Sequence, residues 1–427
     1  MNTLQQYGCS LIMFFLALAG TAPAQTNDSS VTAEQVNEAF GMPLWADDSL
    51  WENNIDDVAR RLGARLESEA GAETSYTARP ALVLGVRPEN VRLTGREGKA
   101  CAVMIMFANK GDTLGVRPDS SRMPSIEYQK ALAEFRKKEQ NLSRTIKIQN
   151  SLVEDALKNL LGEYSKQRFG EGDKTSEWVK TWTWKSHAIL LAEAEGASLS
   201  LRIVPLEAAR ARGKSEKTSD AALKAQLKAR VLKRDNGDVI VTEIPMISQG
   251  RKGYCVPATW ARYLRYMGIQ ADEYVLANAA QTKKGGGTSA SEILAATTAL
   301  ANQNRRSVKK ICNQITIPTV SAYINSGLPL MWRMYSIGPF ELCDRRADRM
   351  GGQSSEEWKA ALKPYRKAAK GLKLDPEQRH MCMIIGYNAL TGEIATSDSW
   401  GLEHAEKWYT VEEVQAVTGG EMYLVAW

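Results

Sequence analysis

The chain has 427 residues, of which 44% are hydrophobic and 24% are charged, and its formal net charge is +6. A chain of this length is too long for one hydrophobic core, so we expect two or three domains in an ordinary soluble globular protein. The charge is modest for the length, and the sequence has no clustered basic face with aromatic side chains. We therefore exclude nucleic acid as the expected partner.

The N-terminus has the pattern of a secretory signal peptide, predicted over residues 1–24. Residues 9–20 (CSLIMFFLALAG) are apolar, and Ala22 and Ala24 follow as an A-x-A cleavage motif. The apolar run is too short to span a bilayer comfortably. We expect export to the periplasm or the extracellular space, with no stable membrane insertion after the signal is cleaved.

Export determines how the cysteines are interpreted. Removal of the signal peptide also removes Cys9, and the cysteines that remain are Cys101, Cys255, Cys312, Cys343 and Cys382. An odd number of cysteines in an oxidising compartment indicates at least one free thiol. The spacing leaves open whether the others form up to two disulfides or stay as buried thiols.

Residues 25–206 are predicted to form an α+β domain of unknown role. The first part, residues 25–45, is polar and poorly patterned, and we expect it to be flexible. Helical and strand-like patterns then alternate, and residues 125–168 have the apolar spacing of a long helix packed on one side. A strand-rich stretch follows. Its tryptophans are predicted to be core or strand-pair aromatics, with a ligand-facing role as the alternative: Trp178, Trp182 and Trp184.

Residues 207–236 are rich in Ala, Lys and Arg and lack aromatic residues, which predicts a basic, partly helical linker and the best domain boundary in the chain. The second domain, residues 237–427, opens with a strand that ends at Pro245. A glycine-containing loop with Gln249 follows. An amphipathic helix then begins at Cys255.

Beyond this helix, Gly285–Gly287 lacks the Lys-Ser/Thr pair that closes a phosphate-binding loop. Residues 338–379 are polar and charged, and we expect a helical insertion on the surface. Residues 380–387 and 393–398 are predicted to form the two strands of a hairpin. A strand, a helix and a strand are expected to close the chain.

Four residues of the second domain have the types and the order that catalysis by a thiol requires. Cys255 begins a helix, whose positive end lowers the pKa of a thiol, and an imidazolium would lower it further. His380 opens the first strand of the hairpin, and Asp398 ends the second, where it can hold the other ring nitrogen. Gln249 can donate its amide to a developing oxyanion beside the Cys255 backbone N–H.

These residues resemble the papain-like cysteine peptidase superfamily over about residues 239–427. The matching features are Q-x5-C entering a helix (Gln249, Cys255), a distant histidine that opens a strand (His380), and DSWG beginning at Asp398. The segments CVPATWARYLRYMG, GGGTS and GLPLMW are most similar to the double-glycine leader (bacteriocin-processing) peptidase branch. The resemblance implies an α+β fold. A helix bearing the cysteine would pack on an antiparallel sheet bearing the histidine and the aspartate, after a separate α+β N-terminal domain.

The resemblance also implies a role for each of the four residues. Cys255 would be the nucleophile, His380 the acid and base, Asp398 the residue that orients the imidazole, and Gln249 the oxyanion donor. We expect a peptide or protein substrate, and neither a cofactor nor a metal. Two features depart from the family. The surroundings of Cys255 are not the C-G-S-C-W of the plant and lysosomal members, and the chain lacks the membrane transporter that often follows the leader-peptidase branch.

Alternatives stay open for both the site and the function. His404 is the competing base. His380 and Cys382 with either Cys255 or Cys343 would be the ligands of a metal, although no paired C-x2-C supports such a site. The function is hydrolysis of peptide or isopeptide bonds through a thioester, acyl transfer of transglutaminase type, or non-catalytic binding. The substrate, the role of the N-terminal domain and the oligomeric state are left open.

Overall fold

The structure is a computed structural model that describes most of the chain. The described residues are 30–114, 117–118, 120, 123–194, 196–214, 218–250, 253–280, 288, 290–311, 314–337, 340, 343–375 and 378–427. The predicted signal peptide, Cys312 and Gly285–Gly287 lie outside them. The described part is mixed α and β and contains two antiparallel sheets. None of its helices combines the length and the apolar character that crossing a lipid bilayer requires.

The first sheet is built from residues 65–205. Its strands are β1 (Arg65–Ala70), β2 (Glu73–Ala78), β3 (Asn90–Arg96), β4 (Lys99–Asn109), β5 (Ser165–Phe169), β6 (Glu177–Trp184), β7 (His187–Ala194) and β8 (Ser198–Pro205). They are ordered β1-β2-β3-β4-β8-β7-β6-β5. The helices of this part are α1 (Ala33–Phe40), α2 (Ile55–Arg61), α3 (Lys110–Thr113), α4 (Ser125–Leu161) and α5 (Leu206–Arg210). We call residues 30–210 the N-terminal unit.

The long helix predicted over residues 125–168 is α4, and it ends at Leu161. Its buried side chains recur at helical spacing and form part of the core beneath the sheet. Trp182 and Trp184 are fully buried in this core, so their predicted core role is confirmed, whereas Trp178 is 65% exposed. The Trp182 indole donates to the carbonyl of Gly162, the residue that follows α4, and so joins the helix to β6.

The start of the N-terminal unit differs from the prediction. Residues 25–45 were expected to be flexible, but α1 lies within them, with a capping box between Thr32 and Gln35. Val36 and Phe40 lie four residues apart and are both fully buried. The prediction is wrong for the described part of this segment because one capping box and two buried side chains suffice to fix a helix of two turns.

The second sheet is built from residues 231–426. Its strands are β9 (Val231–Lys233), β10 (Asp238–Val241), β11 (Ser307–Ile311), β12 (Leu330–Tyr335), β13 (Arg379–Asn388), β14 (Glu393–Ser397), β15 (Lys407–Thr410) and β16 (Thr418–Ala426). Six are ordered β11-β16-β12-β13-β10-β9, while β14 pairs with β13 and β15. The helices are α6 (Asp220–Ala229), α7 (Cys255–Tyr266), α8 (Glu273–Ala279), α9 (Ala290–Gln303), α10 (Ile317–Ile324), α11 (Ser355–Ala361), α12 (Lys363–Ala369) and α13 (Val411–Val417). We call residues 220–427 the C-terminal unit.

The segment predicted as a linker, residues 207–236, contains α6 and β9. Leu223 and Leu227 of α6 are buried in the core of the second sheet, and β9 pairs with β10. This segment is therefore packed on the C-terminal unit through its apolar side chains.

Helix α7 packs its predicted apolar face into the same core. Trp260, Tyr263 and Leu264 are fully buried. The Thr259 hydroxyl donates to the carbonyl of Met381 in β13 over 3.0 Å. This bond fixes the helix against the strand that begins at Arg379, and it sets the distance between the start of the helix and the start of the strand.

The insertion at residues 338–379 is helical, as α11 and α12, but it is not purely a surface element. Arg349 enters the core, where its side chain is 1% exposed and forms ion pairs with Asp238 and Glu393, both 0% exposed. Its guanidinium lies 3.7 Å from the ring centre of Trp408. The expectation of a surface insertion is wrong for this residue, because buried carboxylates on β10 and β14 require a cation.

The cysteines of the described part are free. Cys343 and Cys382 are buried, whereas Cys101 and Cys255 are partly exposed. Among the described residues the structure therefore contains no disulfide, and it leaves the thiol of Cys255 available for chemistry.

Candidate active site

Cys255 is the first residue of α7. The chain turns into the helix through Gly253, whose φ of 63° lies in the left-handed region that favours glycine. Pro257 lies in the first turn, where its missing N–H leaves no helical hydrogen bond unmade. Since Cys255 is partly exposed and begins a helix with a buried body, its thiol is accessible from outside the core.

His380 and Asp398 are brought together by the predicted hairpin, which the structure contains as β13 and β14. His380 is the second residue of β13 and Asp398 directly follows β14. The His380 Nε2 and Asp398 Oδ2 atoms lie 2.6 Å apart. The Asp398 backbone N–H donates to the carbonyl of His404 over 2.9 Å, which holds the turn after the strand.

The environment of His380 keeps its imidazole protonated. Burial alone would lower the pKa of this histidine, because it disfavours the charged ring. The negative charge and the hydrogen bond of Asp398, together with a hydrogen bond to the side chain of Cys255, outweigh burial and raise the pKa of His380 to about 10. Because Nε2 is bound to Asp398, Nδ1 is the ring nitrogen left for the side chain of Cys255. The structure thus brings sulfur, imidazole and carboxylate into one line of contacts.

Gln249 is held beside this line by Ser399, the residue after Asp398. The Gln249 backbone N–H donates to the Ser399 carbonyl over 2.9 Å, and the Ser399 hydroxyl donates to Gln249 Oε1 over 2.8 Å. Because Oε1 of the Gln249 amide accepts this bond, its Nε2 is the atom that can donate to another group. The sequence motif identified Ser399 as part of DSWG but did not predict this contact.

Trp400 covers the imidazole of His380. The two rings are stacked, with centroids 4.7 Å apart and an interplanar angle of 27°. The ring of His404 meets the same indole at its edge, with a centroid distance of 5.4 Å. Burial lowers the pKa of His404, whereas the pKa of His380 is raised, in part by its hydrogen bond to the side chain of Cys255.

Arg262 is a residue of the site that the sequence did not reveal. It lies on α7, fully buried, and its Nε donates to the carbonyl of Pro245 over 2.8 Å while Nη2 donates to the Ser397 hydroxyl over 2.5 Å. Burial lowers its pKa to about 10, against the opposing attraction of Asp398. One buried cation therefore ties the helix of Cys255 to the loop of Gln249 and to the strand before Asp398. The pattern of apolar residues along α7 does not identify Arg262 as buried, because a charged residue between apolar ones is expected on the exposed face of a helix.

Cys382 and His187 are both buried side chains. Cys382 is buried with its sulfur 3.5 Å from that of Met334, and in the described ranges no group of three or more His, Cys, Asp or Glu side chains is arranged to hold a metal ion. His187 is buried in the first sheet, where its Nε2 accepts from the Trp45 indole. Burial lowers the pKa of His187 to about 4, which makes it a neutral core residue at physiological pH.

The His380–Asp398 pair leads to a prediction for its titration. We expect the imidazole to stay protonated up to about pH 10, the pKa to which Asp398 and Cys255 raise it. Its folded pKa lies above the usual value, so its contribution to folding stability is full below about pH 6.5. That contribution is lost as the pH rises through about 10. Histidine NMR titration of the reduced protein measures this pKa, and Asp398→Asn should lower it.

Glu403→Gln is the matched control for this prediction, because it removes a carboxylate beside His404 and leaves the His380 pair intact. The attribution to Asp398 is contradicted if both variants leave the His380 titration at the wild-type pH.

Comparisons with known proteins are consistent with this arrangement in the C-terminal unit. Residues 241–423 match the family model described as "Peptidase_C39 like family", which covers less than half of the chain and supports a cysteine peptidase-like region there. No curated protein matches the chain. A solved structure of an extracellular protein containing an SCP domain from Bacillus anthracis str. Ames is matched at 10% identity over 62% of this chain and 79% of that chain, with a TM-score of 0.20. At that score no argument is drawn from it.

Proposed function

We propose that the protein is an exported thiol hydrolase that cleaves peptide or isopeptide bonds through a thioester. The observation that carries the proposal is the line of contacts from the Cys255 side chain through His380 to Asp398, with 2.6 Å between Nε2 and Oδ2. This is the combination of nucleophile, base and orienting carboxylate that acyl transfer by a thiol needs. The match of residues 241–423 supports it independently.

The first chemical step is attack of the Cys255 sulfur, as a thiolate paired with the His380 imidazolium, on the carbonyl carbon of the scissile amide. The carbonyl π electrons move to oxygen, and the resulting oxyanion accepts from the Cys255 backbone N–H and from Nε2 of Gln249. When the intermediate collapses, the C–N bond breaks and His380 gives its proton to the leaving amine. Asp398 holds the ring in place through Nε2 during this transfer.

The second step returns the enzyme to its starting state. Water attacks the thioester, the neutral His380 takes one proton from it, and the C–S bond breaks to release a carboxylic acid. The proton stays on the imidazole, and the thiolate is restored beside it. Loss of the Gln249 amide would remove one oxyanion donor, which costs on the order of 10²–10³ in kcat.

Several finer features belong to the same proposal. Residues 1–24 would direct export, residues 207–236 would separate two domains at 25–206 and 237–427, and the peptidase part would be of the leader-peptidase type in scaffold. The apolar run at residues 9–20 with Ala22 and Ala24 supports the export signal. Cleavage of a double-glycine leader is not part of the proposal.

The test is product analysis with residues 25–427 under reducing conditions. A mixture of peptides and of isopeptide-linked lysine peptides is incubated with the protein, with and without a millimolar primary amine, and the products are identified by mass spectrometry. We expect free carboxylic acids in both samples. Amine adducts in place of acids would show that the protein is an acyl transferase and not a hydrolase. Absence of turnover, with Cys255 alkylated no faster than Cys101, would leave only a binding protein.

A further inference from the structure

The loop that carries Gln249, residues 242–249, has no regular secondary structure. Its backbone groups therefore need partners outside a sheet or helix. The Pro245 carbonyl accepts from Arg262 over 2.8 Å, and the Gln249 N–H donates to Ser399 over 2.9 Å. These bonds hold the loop from the side of the C-terminal unit.

The other side of the loop is held by the N-terminal unit. The Met246 N–H donates to the Ser68 hydroxyl over 2.8 Å, and the Ser248 N–H donates to Glu67 Oε1 over 3.1 Å. These two N–H groups lie two residues apart in the loop, and both donate to side chains of β1. The second of them belongs to the residue directly before Gln249.

A β-bulge explains how two neighbouring residues of β1 serve this purpose. The pairing of β1 with β2 shifts register between Leu66 and Ser68, and Glu67 and Ser68 are both buried although they are consecutive. In a regular strand their side chains would point to opposite faces. Bulges redirect side chains in this way, often next to active sites.

Glu67 is itself fixed as an anion. Arg92 of β3 binds both of its oxygens, with Nε–Oε2 at 2.6 Å and Nη2–Oε1 at 2.9 Å. The same guanidinium donates to Glu273 of α8 over 2.7 Å, and all three side chains are at least nine-tenths buried. Although burial opposes ionisation, Arg92 lowers the pKa of Glu67. The acceptor for the Ser248 N–H is therefore a charged and rigid carboxylate.

The contacts between the N-terminal and C-terminal units extend to the residue before Cys255. A Cβ atom on Gly111 of α3 would lie 1.7 Å from the ring of Tyr254, so the residue before Cys255 is seated directly on the N-terminal unit. Asn278 of α8 donates to the Ser198 hydroxyl of β8 over 2.9 Å, and Arg265 of α7 pairs with Glu73 of β2. The two units thus meet at several points on α7 and α8.

We infer that the N-terminal unit is a working part of the active site, in which Ser68 and Glu67 position the Gln249 loop for oxyanion binding. The inference rests on the proposed function. The N-terminal unit is therefore neither a removable pro-segment nor a detached recognition module. Its removal would take away the acceptors of two loop N–H groups and would leave Glu273 without Arg92. Ser68 and Glu67 are positioning residues, and they act through the backbone of Met246 and Ser248.

The test is a double-mutant cycle between Ser68→Ala and Gln249→Ala. We expect Ser68→Ala to lower kcat by about tenfold with KM unchanged, since a slightly displaced oxyanion donor weakens only the transition state. In the Gln249→Ala background the same change should cost nothing further. Ser198→Ala is the matched control, because it also removes a buried hydroxyl that accepts across the interface, but far from the loop; its kcat should equal that of wild type.

The inference is overturned if Ser68→Ala keeps the wild-type kcat, or if it lowers kcat equally with and without Gln249. Amide hydrogen exchange of residues 242–250 provides a readout that needs no turnover. Exchange there should accelerate in Ser68→Ala and stay unchanged in Ser198→Ala. Equal exchange in both variants contradicts the role of Ser68 in holding the loop. If the wild-type protein turned over no substrate while the exchange result held, the proposed function would fail, but the role of Ser68 in holding the loop would be supported.

Discussion

Replacing Cys255 by alanine should abolish turnover while the protein remains folded. Loss of the nucleophile of a catalytic triad lowers kcat by about 10⁵–10⁶-fold, since the remaining groups have no sulfur to activate. The fold should be unaffected, because Cys255 is partly exposed and alanine is the best helix former. Turnover of the cleaved peptides, the thermal midpoint and the intact mass after treatment with iodoacetamide are the measurements.

Cys101→Ala is the control for this experiment. Cys101 is also partly exposed and free, but it lies in β4 of the N-terminal unit, where burial raises the pKa of its thiol. A thiol that stays protonated is a poor nucleophile, so this variant should keep wild-type turnover and the single fast alkylation. Retained turnover in Cys255→Ala would mean that another group carries the reaction.

Replacing Arg349 by methionine should destabilise the protein by about 3–5 kcal/mol, the usual cost of breaking a buried ion pair by removing one partner. Arg349 Nη1 and Nη2 bind both oxygens of Asp238, at 3.0 and 2.8 Å, and Nε and Nη2 bind Glu393 at 3.1 Å. Methionine fills the volume, but the buried Glu393 loses its ion pair and Asp238 keeps only the longer pairing with Arg234, at 3.6 Å. Urea denaturation at neutral pH measures the loss of unfolding free energy.

The pH dependence and a surface control identify the cause. Although burial raises it, Arg349 keeps the pKa of Asp238 below its ordinary value. Wild-type stability from this group is therefore present above about pH 4 and lost as the pH falls through the lowered pKa. The gap between variant and wild type should narrow in acid. Arg60→Met breaks an exposed pair with Asp57 and should change stability by less than about 1 kcal/mol. Equal losses in both variants would refute the buried-charge explanation.

The geometry around Cys255 was accessible from sequence because each residue has a type and a local element that constrain its chemistry. A cysteine after a glycine turn begins a helix, and a hairpin pattern brings His380 and Asp398 to neighbouring strands. Local pattern and chain order predicted the pairing of His380 with Asp398, whose Nε2 and Oδ2 atoms lie 2.6 Å apart. Their catalytic roles stay a proposal until turnover is measured.

The supports of the site were not accessible in the same way. Glu67 and Ser68 lie on an ordinary-looking strand, and their partners Ser248 and Met246 are 181 and 178 residues away. The bulge that turns both side chains inward leaves no mark in the alternation of polar and apolar residues. Arg262 stands between apolar residues and Arg349 stands in a polar segment, and sequence patterns assign charged residues to the surface. Only tertiary contacts identify them as buried.

The position of β16 has a consequence for when the protein can act. This strand is the last in chain order, yet it lies between β11 and β12, and β12 pairs with the strand that carries His380. A ribosome delivers β16 after all its neighbours, which must wait with unpaired backbone edges. The imidazole and the thiol should therefore reach their final arrangement in one late, cooperative event, only after β16 has been synthesised.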